Sequence, residues 1–427
     1  TIDGTYTPSA ITANATVNGG GGASVVAKYQ ISKGLNTGVG GNGWGAGTWG
    51  RLTWGSAAAI TTTSVLRKWT HDNFGEDLIL SPRDGGLFYW DRTNGLGTRA
   101  VELSTIAGTK TSVPQIAKQV LVSDQDRHVI AFGCDGFGAS STEPQGNGVQ
   151  DPLLIRFSSQ ENPIDFFPTA TNTAGDLRLG GGSTFVQAVE TKQQILCFTN
   201  KTLHAMKFIG PPFTFGLQEL SKNITIMSPA SAIAVEDAVF WMGVDTFYVY
   251  AAGQTQQMPF TVKYKVFLDL NFDERDKVHA GVNSEFSEIL WFYPTSSSTE
   301  IDAYVAYNYI EKVWYYGTLA RQAWLDRGIR TLPIASGGQY LYNHEVGYDD
   351  DGSAMSSFVE TSPIDIADGE KFAFIKRIIP DITFNGSTAL SSPNATFTLK
   401  ARNFPGESLT TDQTTSFSAT TTKIDTR

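Results

Sequence analysis

Carboxylates are the side chains in this sequence whose types and spacing come closest to a recognisable chemistry. Glu190, Glu236 and Asp237 could supply the acid and the base of a glycosidase, but a sequence does not place two carboxyl groups at the separation that this mechanism requires. Three consecutive acids, Asp349, Asp350 and Asp351, stand before Gly352. A calcium loop of the EF-hand type needs spaced acids and a closing glutamate, which this run lacks. We therefore predict a hairpin turn there, because Asp-Gly is a strong turn signal.

Histidine and cysteine give no further chemistry. The five histidines are His71, His128, His204, His279 and His344. They are scattered without the spacing of metal ligands, so we interpret each as a strand or turn residue. Cys134 and Cys197 form no disulfide framework and are predicted to be small buried hydrophobic residues. With no Gly-x-Ser-x-Gly elbow either, the sequence predicts no catalytic residue, no metal and no cofactor.

The elements that must carry any site are β-strands. Residues 286–316 contain two runs of aromatic and β-branched residues separated by a polar break, followed at Glu311-Lys312 by a tight turn and a third run. Three antiparallel strands with large side chains on both faces need cover on both sides, which favours one blade of a β-propeller over an isolated meander.

Similar clusters recur along the chain at intervals of roughly 40 to 65 residues, and we count six of them. The six clusters lie at 77–90, 129–157, 185–208, 231–250, 286–316 and 338–360. Forty-three glycines and many aromatic residues also favour an all-β chain with many turns. The predicted fold is therefore all-β, with a six-bladed β-propeller-like domain and an additional β module built from the chain ends.

The domain boundaries follow from where the pattern changes. We predict an N-terminal segment over 1–64, the propeller over 65–370, and C-terminal strands of the second module over 371–427, with 372–379 and 395–400 as two longer strands. A single helical stretch, 263–277, has Val262, Val266 and Leu270 on one stripe and is predicted to link blades four and five. The chain begins at Thr1 and ends at Arg427 inside a strand-like tail, so we expect it to be a trimmed form of a longer protein.

Three indoles stand out in the N-terminal segment. Trp44, Trp49 and Trp54 occur at every fifth position among glycines, and a flexible linker would not need them. They either form an interface with a neighbouring domain or subunit, or fold over the core of this chain. The sequence leaves both readings open.

The charge balance excludes one class of function. The formal net charge is −10, with 42 acidic and 32 basic residues, and no basic run of the kind that grips nucleic acid by its phosphates is present. A protein that conducts DNA without holding it would have such a balance. No apolar run reaches the length of a membrane-spanning helix.

Several segments resemble the tail structural proteins of tailed bacteriophages, in particular the tail nozzle or tail hub (tail tubular) proteins of short-tailed phages. The similar segments are 43–50, 71–78, 151–158, 210–216, 291–294, 314–321 and 344–347. The resemblance implies a noncatalytic virion protein that forms a homo-oligomeric ring, a hexamer, below the portal and adaptor. Its partners would be further copies of itself, the tail adaptor and tail fibre or spike proteins, and DNA would pass without tight binding.

We predict that the DNA-facing surface of such a ring is acidic or neutral, because acidic residues outnumber basic ones and no basic run is present. The candidate channel-lining residues are Asp84, Asp237, Asp349, Asp350 and Asp351, and the candidate interface residues are Trp44, Trp49 and Trp54. Two alternatives remain, a receptor- or carbohydrate-binding propeller of the virion and a glycan-cleaving propeller enzyme. The turn at 81–85 resembles the aspartate box of sialidase propellers, although its aspartate is one position late and no second copy is present.

Overall fold

The structure is a computed structural model and shows a chain made almost entirely of β-strands. The described residues are 34–37, 66–106, 112–124, 126–138, 146–347, 349–353, 357–361, 363–364, 371, 374–384, 393–404, 406–418, 421 and 423–425. By internal contacts the chain divides into two compact units, Thr1–Val346 and Gly347–Arg427.

The described part of the first unit contains six antiparallel sheets of three or four strands in chain order, together with one two-stranded hairpin. Sheet 1 consists of β1 (Trp69–Phe74), β2 (Asp77–Pro82), β3 (Phe88–Trp90) and β4 (Val101–Glu102), followed by the short helix α1 (Leu103–Ile106). Sheet 2 consists of β5 (Gln119–Val122), β6 (Val129–Phe132), β9 (Leu154–Phe157) and β10 (Gly175–Arg178). Between β6 and β9 the chain forms a separate hairpin of β7 (Asp135–Phe137) and β8 (Gly146–Gln150).

The next three sheets repeat the same meander of four strands. Sheet 3 consists of β11 (Phe185–Glu190), β12 (Ile195–Thr199), β13 (Thr202–Gly210) and β14 (Thr214–Lys222). Sheet 4 consists of β15 (Ala232–Val235), β16 (Ala238–Met242), β17 (Phe247–Ala251) and β18 (Gln254–Gln257). Sheet 5 consists of β19 (His279–Asn283), β20 (Glu288–Tyr293), β21 (Ala303–Asn308) and β22 (Val313–Thr318).

Sheet 6 has three strands, β23 (Ala323–Leu325), β24 (Ile334–Gly337) and β25 (Tyr340–Asn343). Our sixth cluster was therefore wrong in part, because residues 357–360 form no strand and the second unit contains them. The short runs Ala-Trp-Leu and Ile-Ala-Ser-Gly supply β23 and β24 instead. Because these strands are only three or four residues long and include small residues, they do not show the aromatic and β-branched pattern of the other clusters.

The core lies between successive sheets. Alternate side chains of a strand point to opposite faces, so Ile195 and Cys197 of β12 pack toward sheet 2 while Leu196 and Phe198 pack toward sheet 4. Equivalent apolar layers join sheets 1 and 2, sheets 4 and 5, and sheets 5 and 6. Because the strands of residues 286–316 are buried on both faces, large side chains occur on both faces, as the sequence indicated.

The first strand of each sheet lies innermost. β1 packs against β5, β5 against β11, β11 against β15, β15 against β19, and β19 against β23. The starts of β23 and β1 line one cavity, so the succession returns to sheet 1. This arrangement confirms the six-bladed propeller-like architecture, and we call the region where the six first strands meet the hub.

The predicted helical link between blades four and five is confirmed. Helix α2 (Lys263–Asp269) and a 3-10 helix over Phe272–Lys277 connect β18 to β19. Val266 and Leu270 are buried, and Val262 packs against the same core. The apolar stripe of the sequence is therefore the buried face of this link.

The second unit contains two described strand pairs. β26 (Arg377–Ile378) pairs with β29 (Ile424–Asp425), and β27 (Asn394–Ala401) pairs with β28 (Thr410–Ser418). The strand predicted at 395–400 is thus confirmed within β27. Of the strand predicted at 372–379, the described residues form a strand only at Arg377–Ile378. Of residues 1–64, which we assigned to the same module, all except 34–37 lie outside the described residues.

Candidate binding site at the hub

The hub has two chemically different ends. The segment before β15 runs parallel to the start of β19 at the Ala230 to His279 bridge, and successive meanders of this kind bring the starts of the first strands to one end of the hub. Three lysines lie close to these starts. Lys68 immediately precedes β1, Lys118 immediately precedes β5, and Lys277 lies near the start of β19. Arg83 joins them, since its backbone N–H donates to the Lys68 carbonyl at 2.8 Å. We call these four residues the basic end.

Arg83 connects three sheets at the basic end. Its guanidinium donates to the carbonyls of Val186 at 3.1 Å and Phe185 at 3.3 Å, on β11, and lies 3.5 Å from the Lys118 carbonyl. Burial lowers the pKa of Arg83, against the opposing charges of Asp84 and Asp276. A planar guanidinium with several donors suits this role because it can satisfy carbonyls on different strands at once.

Asp84, one of our channel-lining candidates, lies at this end and has protein partners. Its carboxylate accepts from Lys118 Nζ at 2.9 Å and from Gln150 Nε2 at 2.7 Å. Burial acts to raise the pKa of Asp84, but the charge and hydrogen bond of Lys118 and the bond from Gln150 outweigh it, so the pKa lies below its usual range. Asp84 therefore stabilises the hub by compensating Lys118.

Lys277 is the most buried cation of the basic end, with 9% of its surface exposed. Its ammonium pairs with Glu300 at 2.7 Å and with Glu274 at 3.3 Å, and donates to the Thr299 carbonyl. Because two carboxylates and a carbonyl surround it, this charge is fully compensated inside the protein.

The opposite end of the first strands is acidic. Asp72, Asp124, Asp126 and Glu190 gather there, and the Asp124 backbone N–H donates to the Glu190 carboxylate at 3.0 Å. Burial raises the pKa of Glu190 to about 7, and the charges of Asp124, Asp72 and Asp126 add to that effect. We call these four residues the acidic end.

The remaining sequence-predicted residues do not meet at the hub. Asp237 is exposed in the turn between β15 and β16, with Lys192 Nζ at 3.9 Å. Asp349, Asp350 and Asp351 belong to the second unit, where Asp350 and Ser353 exchange two backbone hydrogen bonds across a tight turn. The hairpin turn predicted there is confirmed. Trp44, Trp49 and Trp54 lie outside the described residues.

The other chemistry-bearing residues are accounted for by packing. Cys134 and Cys197 are free and fully buried, as predicted, and burial raises the pKa of the Cys134 thiol to about 12. In the described ranges, no group of histidine, cysteine and acidic side chains could hold a metal ion. The helices of those ranges also lack the length and apolar character needed to cross a membrane.

Sequence reasoning missed the basic end. Lys68, Arg83, Lys118 and Lys277 are far apart in sequence and form no basic run. Their one shared signal is position, since three of them precede a first strand, and that strand order becomes visible only in the sheets.

Comparison with known proteins leaves the family open. No protein-family model matches the chain, and no curated protein matches it in sequence. Among solved structures it is similar to the AfRom2 CNH domain, at 10% identity over 64% of this chain and 78% of that one, with a TM-score of 0.35. It is also similar to Kluyveromyces lactis Hsv2, at 7% identity over 67% and 76%, with a TM-score of 0.37.

A third similar structure is the extracellular domain of a putative one-component system, BT4673, from B. thetaiotaomicron. The identity is 11%, the TM-score is 0.39, and the match covers 69% of this chain but 33% of that one. Likenesses this distant carry no functional argument. The fold assignment therefore rests on the sheet order and on the packing between the sheets.

Proposed function

We propose that this chain is a noncatalytic structural subunit of a bacteriophage tail, a nozzle or hub ring that forms part of the DNA exit channel in the virion. The segments that resemble short-tailed phage tail proteins support the proposal, and so does the six-bladed propeller-like domain. The observation that carries it is an exposed apolar surface of the kind that a neighbouring subunit covers.

The most exposed part of this surface is a hairpin tip. β13 and β14 are the longest strands of the propeller, with nine residues each. At their tip Ile209 is 57% and Phe213 is 72% exposed. We call these two residues the apolar tip. A long hairpin that presents apolar side chains beyond its sheet is costly in a monomer, because burial of such area would release roughly 25 cal/mol per Å².

A second apolar surface lies beside sheet 5. Tyr264 and Leu268, four residues apart on one face of α2, are each 78% exposed. Lys265 of the same helix lies 5.9 Å from the ring centre of Tyr316 on the outer strand β22, and this ring is itself 46% exposed. Two separate apolar surfaces on one chain fit a subunit with neighbours on more than one side.

The direct test is to determine the oligomeric state of the purified chain by mass photometry and to image the particles by electron microscopy. We expect rings, with a hexamer as the dominant species. Replacing the apolar tip, Ile209→Ser with Phe213→Ser, should shift the population toward monomers without lowering thermal stability. Leu96→Ser is the matched control, since Leu96 is 93% exposed in the loop between β3 and β4 and does not belong to this hairpin.

A separate variant tests the indoles. Replacing Trp44, Trp49 and Trp54 by serine should reduce ring formation while the propeller stays folded. If the triple variant unfolds and the wild-type chain is monomeric at high concentration, these indoles belong to the core of the chain and the ring proposal is wrong.

A binding role is the second candidate, because the hub contains a cavity with uncompensated polar groups. Such a role requires a receptor or carbohydrate ligand, and saturable binding by the monomer would favour it over the ring. The glycan-cleaving alternative needs two carboxyl groups at one site. Glu190 lies among the carboxylates of the acidic end, whereas Asp237 is exposed in the turn between β15 and β16, with Lys192 as its nearby charged group.

A further inference from the structure

A cavity of about 550 Å³ opens at the basic end, where sheets 1, 5 and 6 meet. The starts of β1, β19 and β23 line it through Lys68, His279 and Ala323, and Gln322 adds an amide. Its volume falls in the range of small-molecule sites, which are mostly apolar with a few converging polar groups. The cavity is therefore large enough for a ligand of the size of one large side chain.

Two polar side chains in this cavity make no hydrogen bond or ion pair of normal geometry with the described part of the chain. His279 is 9% exposed, and neither of its ring nitrogens makes a hydrogen bond of normal geometry, although the Lys277 backbone lies near the ring. The ammonium of Lys68 makes no ion pair or hydrogen bond within the described part of the chain, and Asp276 provides its opposing charge at longer range. Buried polar groups in native proteins are normally hydrogen-bonded, and exceptions of this kind need an explanation.

The charged residues around the cavity determine whether it favours an anionic or a cationic ligand. Arg67, Lys68 and Lys277 line it together with Glu300, but Glu300 is held by Lys277 at 2.7 Å. His279 is neutral, because burial and the nearby charge of Lys68 lower its pKa to about 3. An anion would therefore meet an available ammonium and one imidazole N–H, whereas a cation would be repelled.

The wall also has an apolar part, to which Leu35, Leu66, Ile301 and Trp69 contribute, and Trp69 is 43% exposed. The amides of Asn36 and Gln322 are further polar groups of the wall. A phosphate dianion would fit this surface poorly, because Lys277 is paired with Glu274 and Glu300, Lys68 is partly compensated by Asp276, and the apolar part of the wall offers no donor to the further oxygens of a phosphate. A monoanion with an apolar body would satisfy both halves of the cavity.

We propose that this cavity is a binding site for a carboxylate joined to an apolar body, with Lys68 and His279 as donors to the carboxylate and Trp69 against the body. The ligand is either a free organic acid or the carboxyl terminus of a peptide chain. This site belongs to the propeller of a single subunit, so the proposal does not depend on ring formation.

The test measures binding of phenylacetate to the whole chain by calorimetry, with phenylacetamide and inorganic phosphate as comparison ligands. We expect saturable binding of phenylacetate, at least tenfold weaker binding of the neutral amide, and weaker binding of phosphate. N-acetylphenylalanine distinguishes the two sources, since tighter binding than phenylacetate would identify a chain terminus. The amide comparison uses the wild-type protein and does not depend on how any variant folds.

Lys68→Met keeps the length of the side chain and removes its charge, so it should weaken phenylacetate binding at least tenfold. Lys201→Met, in the exposed turn between β12 and β13, is the matched control and should bind as the wild type does. Absence of saturable binding, equal affinity for phenylacetate and phenylacetamide, or tighter binding of phosphate would each overturn the proposal.

Discussion

Glu190 shows how the hub changes the chemistry of a single residue. Its pKa of about 7, above the ordinary 4.5, comes first from burial and then from the neighbouring acids Asp124, Asp72 and Asp126. A carboxyl whose pKa is raised on folding is stabilising while it is protonated. That contribution is complete below about pH 4.5 and is lost as the pH rises through 7.

We therefore expect Glu190→Gln to remove part of the pH dependence of stability. The wild-type chain should lose about 1–2 kcal/mol of unfolding free energy between pH 5 and pH 8 from this group, after allowance for partial exposure. Glutamine keeps the acceptor for the Asp124 N–H but does not ionise, so the variant should not lose this unfolding free energy between pH 5 and pH 8. Denaturant unfolding of the propeller at both pH values measures the difference.

Glu311→Gln is the control for that experiment, since Glu311 is exposed in the turn before β22. It should leave the pH dependence as it is in the wild type. Identical pH slopes for the Glu190 variant and the wild type would show that the Glu190 carboxylate is well solvated in the folded protein.

At the scale of elements, neighbouring first strands are joined by side-chain hydrogen bonds, which take the place of the backbone hydrogen bonds between strands of one sheet. Gln119 on β5 donates to the Ala188 carbonyl and accepts from the Ala188 N–H on β11, both at 2.8 Å. Gln187 on β11 repeats the arrangement with Ala232 on β15, at 2.8 and 2.9 Å. Each glutamine thus satisfies both backbone groups of one residue on the next blade.

Gln187→Met should therefore weaken the contact between blades 3 and 4. It keeps the size of the side chain but leaves the buried N–H and carbonyl of Ala232 unpaired, which costs about 2–4 kcal/mol. Hydrogen exchange should show a large loss of protection at the Ala232 amide. Gln256→Met, on the exposed strand β18, should not change it, and unchanged protection in both variants would contradict the assigned role.

At the scale of the whole molecule, charge and assembly are linked. The net charge of −10 and the acidic end of the hub suit a protein that lets DNA pass, because each phosphate held by a cation releases counterions and opposes sliding. Two of the four residues of the basic end, Lys118 and Lys277, give little help to DNA binding, since they are paired within the protein.

We expect duplex DNA to bind the assembled chain more weakly than micromolar at physiological salt. A titration of labelled duplex over a range of salt concentrations measures both the affinity and its salt dependence. Submicromolar affinity with a steep salt slope would reveal a surface that grips phosphates and would contradict an exit-channel role. A long-range field from acidic residues would instead act over roughly 8 Å at that salt concentration.

The sequence by itself determined the strand-rich character of the chain, most of the cluster positions, the helical link at 263–277 and the turn at Asp350. These features are local, because β-branched and aromatic runs, apolar stripes and Asp-Gly turns act over a few residues. The first strands β1, β5 and β19 escaped the cluster pattern. Their polar and small residues, such as Asp72, Gln119 and Gly281, hydrogen-bond to the next sheet or pack closely against it.

Only the tertiary structure decided which residues meet at the hub. Lys68, Arg83, Lys118 and Lys277 converge because each sheet returns its first strand to the same place, a pairing set by contacts between residues distant in sequence. The same convergence leaves His279 without a hydrogen bond beside an open cavity. Composition and spacing act along the chain, whereas this site depends on packing across six sheets.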